Sequence, residues 1–193
     1  PHVTGSGLQP VEQLSELADL LVAEPGAQPP HFKGAQNAPV VVEEFSDFQC
    51  PACSAAHPIL KKVLAEYKTK VRFVVRDYPL AMHKDAFRAA LAANAARAQG
   101  KFFEYVEVLY RNQDALDDDS LKKYAADLGL NLQQFALDFS SEKSAAEVRK
   151  DMADGKNYRI TGTPTIYVNG VKVRVFSAEG FRNAIERALK SRK

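Results

Sequence analysis

The chain is poor in several things, and each absence narrows what it can be. Its 193 residues hold only two cysteines, which excludes a disulfide-stapled scaffold pinned by several bridges. Its apolar runs fall well short of the roughly 20 residues that a spanning helix needs. The formal net charge is +2, too small an imbalance to argue for nucleic acid or a membrane surface as partner. Lys and Arg of residues 144–193 are dispersed, without aromatic interleaving, and leave no nucleic-acid footprint. There is no internal repeat and no low-complexity tract. The first residue is Pro1, not Met, so the expected start is a processed, truncated or engineered one, with any signal segment already gone. What is present is a composition of 46% hydrophobic and 26% charged residues, ordinary for a globular domain and long enough to bury a core unaided.

The two cysteines stand together as Cys50-Pro51-Ala52-Cys53, after a strand-like stretch, Val40 to Phe45, and before a helical one. That is the layout of a thiol–disulfide redox centre. A nucleophilic sulfur must be a thiolate at working pH, and a cysteine at a helix N-terminus meets free N–H groups and partial positive charge. Cys50 falls at that junction and Cys53 one turn inside, so the outer thiol can attack while the inner one resolves the mixed disulfide. Pro51 fixes φ in the first turn without wasting a donor. Zinc would need a second ligand pair; His57 offers one more donor, and no fourth is evident. Haem attachment needs His after the second cysteine, where Ser54 stands. A purely structural bridge across two residues would restrain little of the unfolded chain.

Along the chain, residues 10–23 carry Val11, Leu14, Leu17, Leu20 and Leu21 at helical spacing, and residues 25–30 hold three prolines and a glycine. We expect one helix and a linker in residues 1–30. Val40–Phe45 reads as a buried strand. Ile59, Leu60, Val63, Leu64 and Tyr67 mark a helix face behind the cysteines, with a kink expected at Pro58. Val71 to Val75 is a second strand, making a parallel βαβ unit. Residues 84–157 read almost wholly helical, with Gly129 as a stop and Asn131 as a cap with Gln134 three later. Asp117-Asp118-Asp119 reads as a solvated run before a helix led by Ser120, rather than a cation site. Thr165–Val168 and Val171–Val175 flank Asn169-Gly170, a type I′ hairpin signal, and Ser177 can cap a last helix over Ala178 to Lys190. His83 reads as a loop or helix-start residue, and His57, on the face of Cys53, either tunes the site or packs.

The stretch Glu44-Phe45-Ser46-Asp47-Phe48-Gln49-Cys50-Pro51-Ala52-Cys53 resembles the active-site segment of DsbA-like thiol–disulfide oxidoreductases. The resemblance extends over roughly residues 31–190. It implies an α/β fold, thioredoxin-like with an inserted helical domain: 31–80 and 158–193 as the two parts of the thioredoxin-like unit, 81–157 as the insertion. Glu44 matches the buried acid of that fold, Pro58 the kink of its active-site helix, and Thr163-Pro164 its cis-proline loop, where exposed backbone beside Cys50 can pair with a substrate strand. The implied catalytic residues are Cys50 and Cys53, supported by Glu44, Pro51, Ala52, Thr163 and Pro164, with no metal and no small cofactor. Implied partners are proteins bearing thiols or disulfides and a quinone-linked membrane protein of DsbB or VKOR type; the implied location is extracytoplasmic, in a bacterial periplasm or at the cell-envelope exterior. Two departures stand out. Strongly oxidising members carry Pro-His between the cysteines where this chain has Pro-Ala, so we expect a less depressed Cys50 pKa and a less oxidising potential. Thr before the cis-proline is closer to disulfide isomerases. The rival expectations are a reductase or isomerase, a chaperone module that holds unfolded chains, and a glutathione transferase of the superfamily, which the intact cysteine pair argues against.

Overall fold

A computed structural model describes residues 32–191 of the protein; the helix and linker expected in residues 1–30 lie outside them. The described chain forms β1 (Phe32–Gly34), β2 (Val40–Ser46), α1 (Pro51–Tyr67), a short 3-10 turn (Lys68–Lys70) and β3 (Val71–Asp77). Five helices follow: α2 (Ala86–Ala98), α3 (Phe102–Arg111), α4 (Asp118–Asp127), α5 (Leu132–Phe139) and α6 (Glu142–Asn157). The chain closes with β4 (Thr165–Val168), β5 (Val171–Lys172) and α7 (Ala178–Lys190).

The sheet order is β1-β3-β2-β4-β5. β2 and β3 are parallel, as the βαβ reading requires, and β4 lies antiparallel on the other side of β2. Placed in the middle, β2 and β3 are buried almost throughout, which is why their valines form near-continuous runs instead of alternating with polar residues. The period of two sends alternate side chains of β2 to opposite faces. Val40, Val42, Glu44 and Ser46 share the face toward α1, whereas Glu43 and Phe45 share the face toward α6. α1 packs on α7 and on β3, and α6 packs on β3 from the far side. Gly155 permits that second contact: a Cβ there would come within 2.5 Å of the Tyr78 ring.

Several elements follow their sequence signals closely. Ser177 caps α7 by accepting from Gly180 N–H at 3.0 Å. Asn131 caps α5 by accepting from Gln134 N–H at 2.9 Å, but the reciprocal bond to its own N–H comes from Gln99 at 2.8 Å, not from Gln134. Asn169 and Gly170 both have positive φ, 47° and 81°, as the hairpin needs.

Other details differ. β5 ends at Lys172 rather than Val175, because the chain leaves the sheet to enter α7; Phe176 stacks on Phe181 with centroids 5.9 Å apart. The acidic run is capped by Asp117, not led by Ser120: its carboxylate accepts from the N–H groups of Asp119 and Ser120, so the helix starts two residues earlier. β1 carried no sequence signal; three exposed residues are too few for a period to show.

Candidate active site

β2 ends at Ser46, and Asp47 to Cys50 turn the chain into α1. Asp47, 1% exposed, organises this turn. Its Oδ1 accepts from Gln49 N–H at 2.7 Å, the local Asx geometry. Its Oδ2 accepts from Leu80 N–H at 2.8 Å and lies 2.7 Å from His83 Nδ1. The Asp47 carbonyl accepts from Cys50 N–H at 3.1 Å. Gln49 and Asp85 then exchange two bonds, of 2.8 and 3.2 Å. From the α3 side, Gln113 donates to the carbonyls of Phe48 and Cys50, both at 3.0 Å. The loop that presents the sulfur is therefore clamped from two directions.

Cys50 is the N-cap residue of α1 and Pro51 opens the helix. No side chain caps this end, which leaves the first N–H groups to the sulfur. The Cys50 thiol is held down to about 5, chiefly by the hydrogen bond from the Cys53 thiol; its partial burial opposes this, and Thr163 with the N–H groups of Cys53 and Ala52 adds to it. Ala52 is exposed and contributes only that N–H. Cys50 Sγ sits 3.4 Å from the Thr163 carbonyl, and the Thr163–Pro164 peptide is cis. Thr163 is half-buried with a hydroxyl that has no conventional hydrogen-bond partner; Pro164 is buried behind it.

Cys53 is fully buried. Burial pushes its thiol far up, and the bond to Cys50 and the nearby charge of Glu44 push the same way. The two sulfurs are thus unequal: the outer one is a thiolate at neutral pH, while the inner one keeps its proton until a base takes it. Glu44 lies on the α1-facing side of β2, 1% exposed. Burial raises its carboxyl to about 7, against a hydrogen bond from Ser46. A buried carboxyl that titrates near neutrality and acts electrostatically on Cys53 is placed to exchange that proton.

Glu44, Cys50, Pro51, Ala52, Cys53, Thr163 and Pro164 are thus brought to one end of β2 and α1. His57 is on the Cys53 face, but its Nε2 meets Glu107 at 2.8 Å and its ring lies 4.9 Å from that of Tyr110; its hydrogen bond does not go to a sulfur. Sequence reasoning passed over Asp47, Gln113, Ser46 and Tyr110. Asp47 had a local signal, an aspartate two residues before an N–H that turns a strand into a helix. Gln113 and Tyr110 had none, since each reaches the site from more than 55 residues away in sequence, with Tyr110 meeting Ser46 across 64 positions.

The family known as Thioredoxin matches residues 27–187. Among solved structures, a thioredoxin-like oxidoreductase from Silicibacter pomeroyi superposes with a TM-score of 0.76 at 27% identity, covering 84% of this chain and 94% of that one. BdbD from Bacillus subtilis gives 0.74 at 26% identity, covering 88% and 97%. The thiol-disulfide exchange protein α-DsbA2 from Wolbachia pipientis gives 0.73 at 17% identity over 91% and 94%, a likeness of fold. The chain belongs to the thioredoxin family, with the helix-inserted architecture of the DsbA-like thiol–disulfide oxidoreductases. Curated relatives of another description match as well. A Na(+)/H(+) antiporter NhaA 3 of Salinispora tropica is 39% identical over 141 residues, 72% of this chain and 22% of the antiporter. NhaA 1 of Mycolicibacterium vanbaalenii is 37% identical over 145 residues, 74% and 24%. The chain spans less than a quarter of the length of either.

Proposed function

We propose that this protein exchanges disulfides with protein substrates and works chiefly as an oxidant outside the cytoplasm. The observation that carries the reading is the inequality of the two sulfurs. A stabilised Cys50 thiolate lowers the free energy of the dithiol form, and so makes the Cys50–Cys53 disulfide more ready to accept electrons. In the oxidising direction a substrate thiolate attacks Cys50 Sγ; the Cys50–Cys53 bond breaks and Cys53 leaves as a thiolate, taking a proton from Glu44. A second substrate thiolate then attacks the substrate sulfur of the mixed disulfide and expels Cys50 as a thiolate. Two electrons pass from substrate to the cysteine pair. Glu44, Pro51, Ala52, Thr163 and Pro164 support this exchange, and a membrane partner of DsbB or VKOR type, linked to quinone, would take the electrons onward. None of the helices among the described residues is long and apolar enough to cross a membrane.

A second reading rests on Thr163, whose carbonyl and hydroxyl both face Cys50: the pair runs in reverse as a reductase or isomerase, with Cys50 attacking a substrate disulfide and Cys53 releasing it. The antiporter relatives add a setting for either reading, a redox unit working beside a membrane transport protein. Equilibration of the pair against glutathione at pH 7 separates the directions. A potential near about −120 mV marks a strong oxidant and one near about −270 mV a reductant. With the Cys50 thiol at about 5, inside the range of about 3.5 to 7.5 known for such thiols, we expect a value between the two. Refolding of a reduced and of a scrambled multi-disulfide substrate distinguishes oxidase from isomerase. A Cys50→Ser variant with full activity in both would leave only substrate holding.

A further inference from the structure

Ser46 sits two residues after Glu44 on β2, so both side chains leave the strand on the same face, toward α1. Its hydroxyl donates to Glu44 Oε1 at 3.2 Å and lies 2.6 Å from the Tyr110 hydroxyl, all three groups being buried. A serine hydroxyl carries one proton. With that proton on the Glu44 carboxylate, the 2.6 Å contact must be filled by the Tyr110 proton, so Tyr110 donates and Ser46 accepts. The Ser46 hydroxyl also favours ionisation of Cys53, against the burial that pushes that thiol up. One hydroxyl thus bears on the two groups between which a proton must pass.

We propose that Ser46 is a switching donor whose single proton follows the negative charge between Glu44 and Cys53, and that Tyr110, supplied by the helical insertion, is the positioning residue that keeps Ser46 aimed at them. When Cys53 holds its proton, Glu44 is the anion and receives the Ser46 bond. When the proton has moved from Cys53 Sγ to Glu44, the thiolate is the anion and Ser46 turns to it. Tyr110 donates to Ser46 Oγ in both states, so the serine proton is never spent on the tyrosine. A buried anion left without a donor costs far more than an exposed one, and the switch avoids that at either end of the transfer. The neighbouring titratable groups have other partners. From α1 come Cys50, bonded to Cys53, and His57, engaged with Glu107 of α3. From the turn comes Asp47, engaged with His83, and from the end of β3 comes Asp77, engaged with Asn94. The β4 residue opposite Glu44 is Ile166 and brings no charge.

This inference rests on Cys53 as the resolving thiol, and its test has a readout that does not depend on exchange. The protonated-carboxyl infrared band of Glu44, assigned by its loss in Glu44→Gln, is followed against pH in the reduced protein and in Tyr110→Phe and Ser46→Ala. Tyr110→Phe keeps the ring that packs on Phe48 and His57, and thermal melting confirms the fold. We expect the Glu44 midpoint to rise in both variants, more in Ser46→Ala. At pH 7 the resolution of a Cys50 mixed disulfide should slow about threefold to tenfold, as for the loss of one ordinary hydrogen bond, while the Cys50 alkylation profile stays in place. A midpoint that falls in Tyr110→Phe would mean that Ser46 donates to Tyr110, and would overturn the proposal; so would an unchanged midpoint. A shifted midpoint with no effect of Cys53→Ser on mixed-disulfide release would instead overturn the reading of Cys53.

Discussion

Glu43 and Glu44 are adjacent in sequence, both buried, and raised to about 7 by the same dominant cause, yet they meet different partners. Glu44 faces α1 and has a hydroxyl for company. Glu43 faces α6 and joins an ion cluster around Arg76, whose guanidinium meets Glu43 at 3.1 Å, Asp151 at 2.8 Å and also Asp154. Phe45 lies under the same guanidinium, 5.2 Å from its centroid. Asp77 completes the region: its N–H donates to Asp151 and its carboxylate accepts from Asn94. The pair teaches that burial alone does not make a catalytic acid. Where a fixed cation answers the charge, the carboxyl joins sheet to helix; where only a rotatable hydroxyl answers it, the proton is free to move.

The largest effect is expected on the Arg76 side. Arg76→Met removes the one cation that three carboxylates share at the sheet–α6 contact, and should destabilise the fold by about 3–5 kcal/mol, as for a buried pair stripped of one partner. Denaturant unfolding at pH 7 checks it, and the loss should shrink at pH 5, where Glu43 can protonate. A wild-type midpoint at pH 7 would break the comparison, since the cluster would then hold nothing together.

On the Glu44 side the effect is kinetic. Glu44→Gln should slow the release of a Cys50 mixed disulfide by about 10²-fold, the lower range for a positioned general base, and leave unfolding stability at pH 7 unchanged or improved, because no buried anion remains. Stopped-flow release together with chemical denaturation reads both halves. A variant that loses stability but not rate would merge the two glutamates into one class.

The pH dependence of stability is where the two glutamates act alike. Burial raises Glu43 and Glu44 from 4.5 to about 7, and Asp77, with the Asp151 charge assisting, from 3.8 to about 8. Above about pH 4 the unfolded chain releases these protons while the folded chain keeps them, so the native state binds more protons and ionisation favours unfolding. The stability they lend is complete below the unfolded values and lost as pH rises through about 7 and 8. Glu107 and Asp154 run the other way: both are held low by lysine and by His57 or Arg76 despite partial burial, and their share is lost only in acid. Melting temperatures across pH 4 to 9 should therefore peak on the acid side of neutrality. A plateau continuing to pH 9 would contradict this.

The smallest effect is expected from Glu43→Gln. Arg76 keeps Asp151 and Asp154, so the cost should stay within about 1 kcal/mol, while the decline of stability between pH 4.5 and about 7 becomes shallower and disulfide exchange is unaffected. Melting curves and an exchange assay on the same preparation would show it.

How far the sequence could be read depended on whether a feature was local. β-branched runs, caps and the Asn-Gly turn act within a few residues, so β2, β3, α5 and α7 were legible, α7 with both its ends, while β3 runs two residues past Val75 to Asp77. The cysteine pair was legible because strand, loop and helix follow in order within 20 residues. Glu44 was picked out only by resemblance, since its period along β2 does not tell which face is dry. Ser46, on that same face, went unnoticed because its partner Tyr110 belongs to a helix that the topology alone brings there. The Arg76 cluster was hidden for the same reason: three carboxylates at 43, 151 and 154 have no pattern until α6 lies across the sheet.

By itself, then, the sequence determined a redox pair at a helix start, a parallel βαβ unit around it and a helical stretch before a closing hairpin, because propensity, capping and turn chemistry are properties of neighbouring residues. Tertiary structure alone decided which of two adjacent glutamates meets a hydroxyl on the side of the cysteines and which meets a guanidinium, and which tyrosine of the insertion reaches the strand. Those outcomes depend on the side of the sheet that each helix covers, and on desolvation, which arises only when distant segments close over a charge.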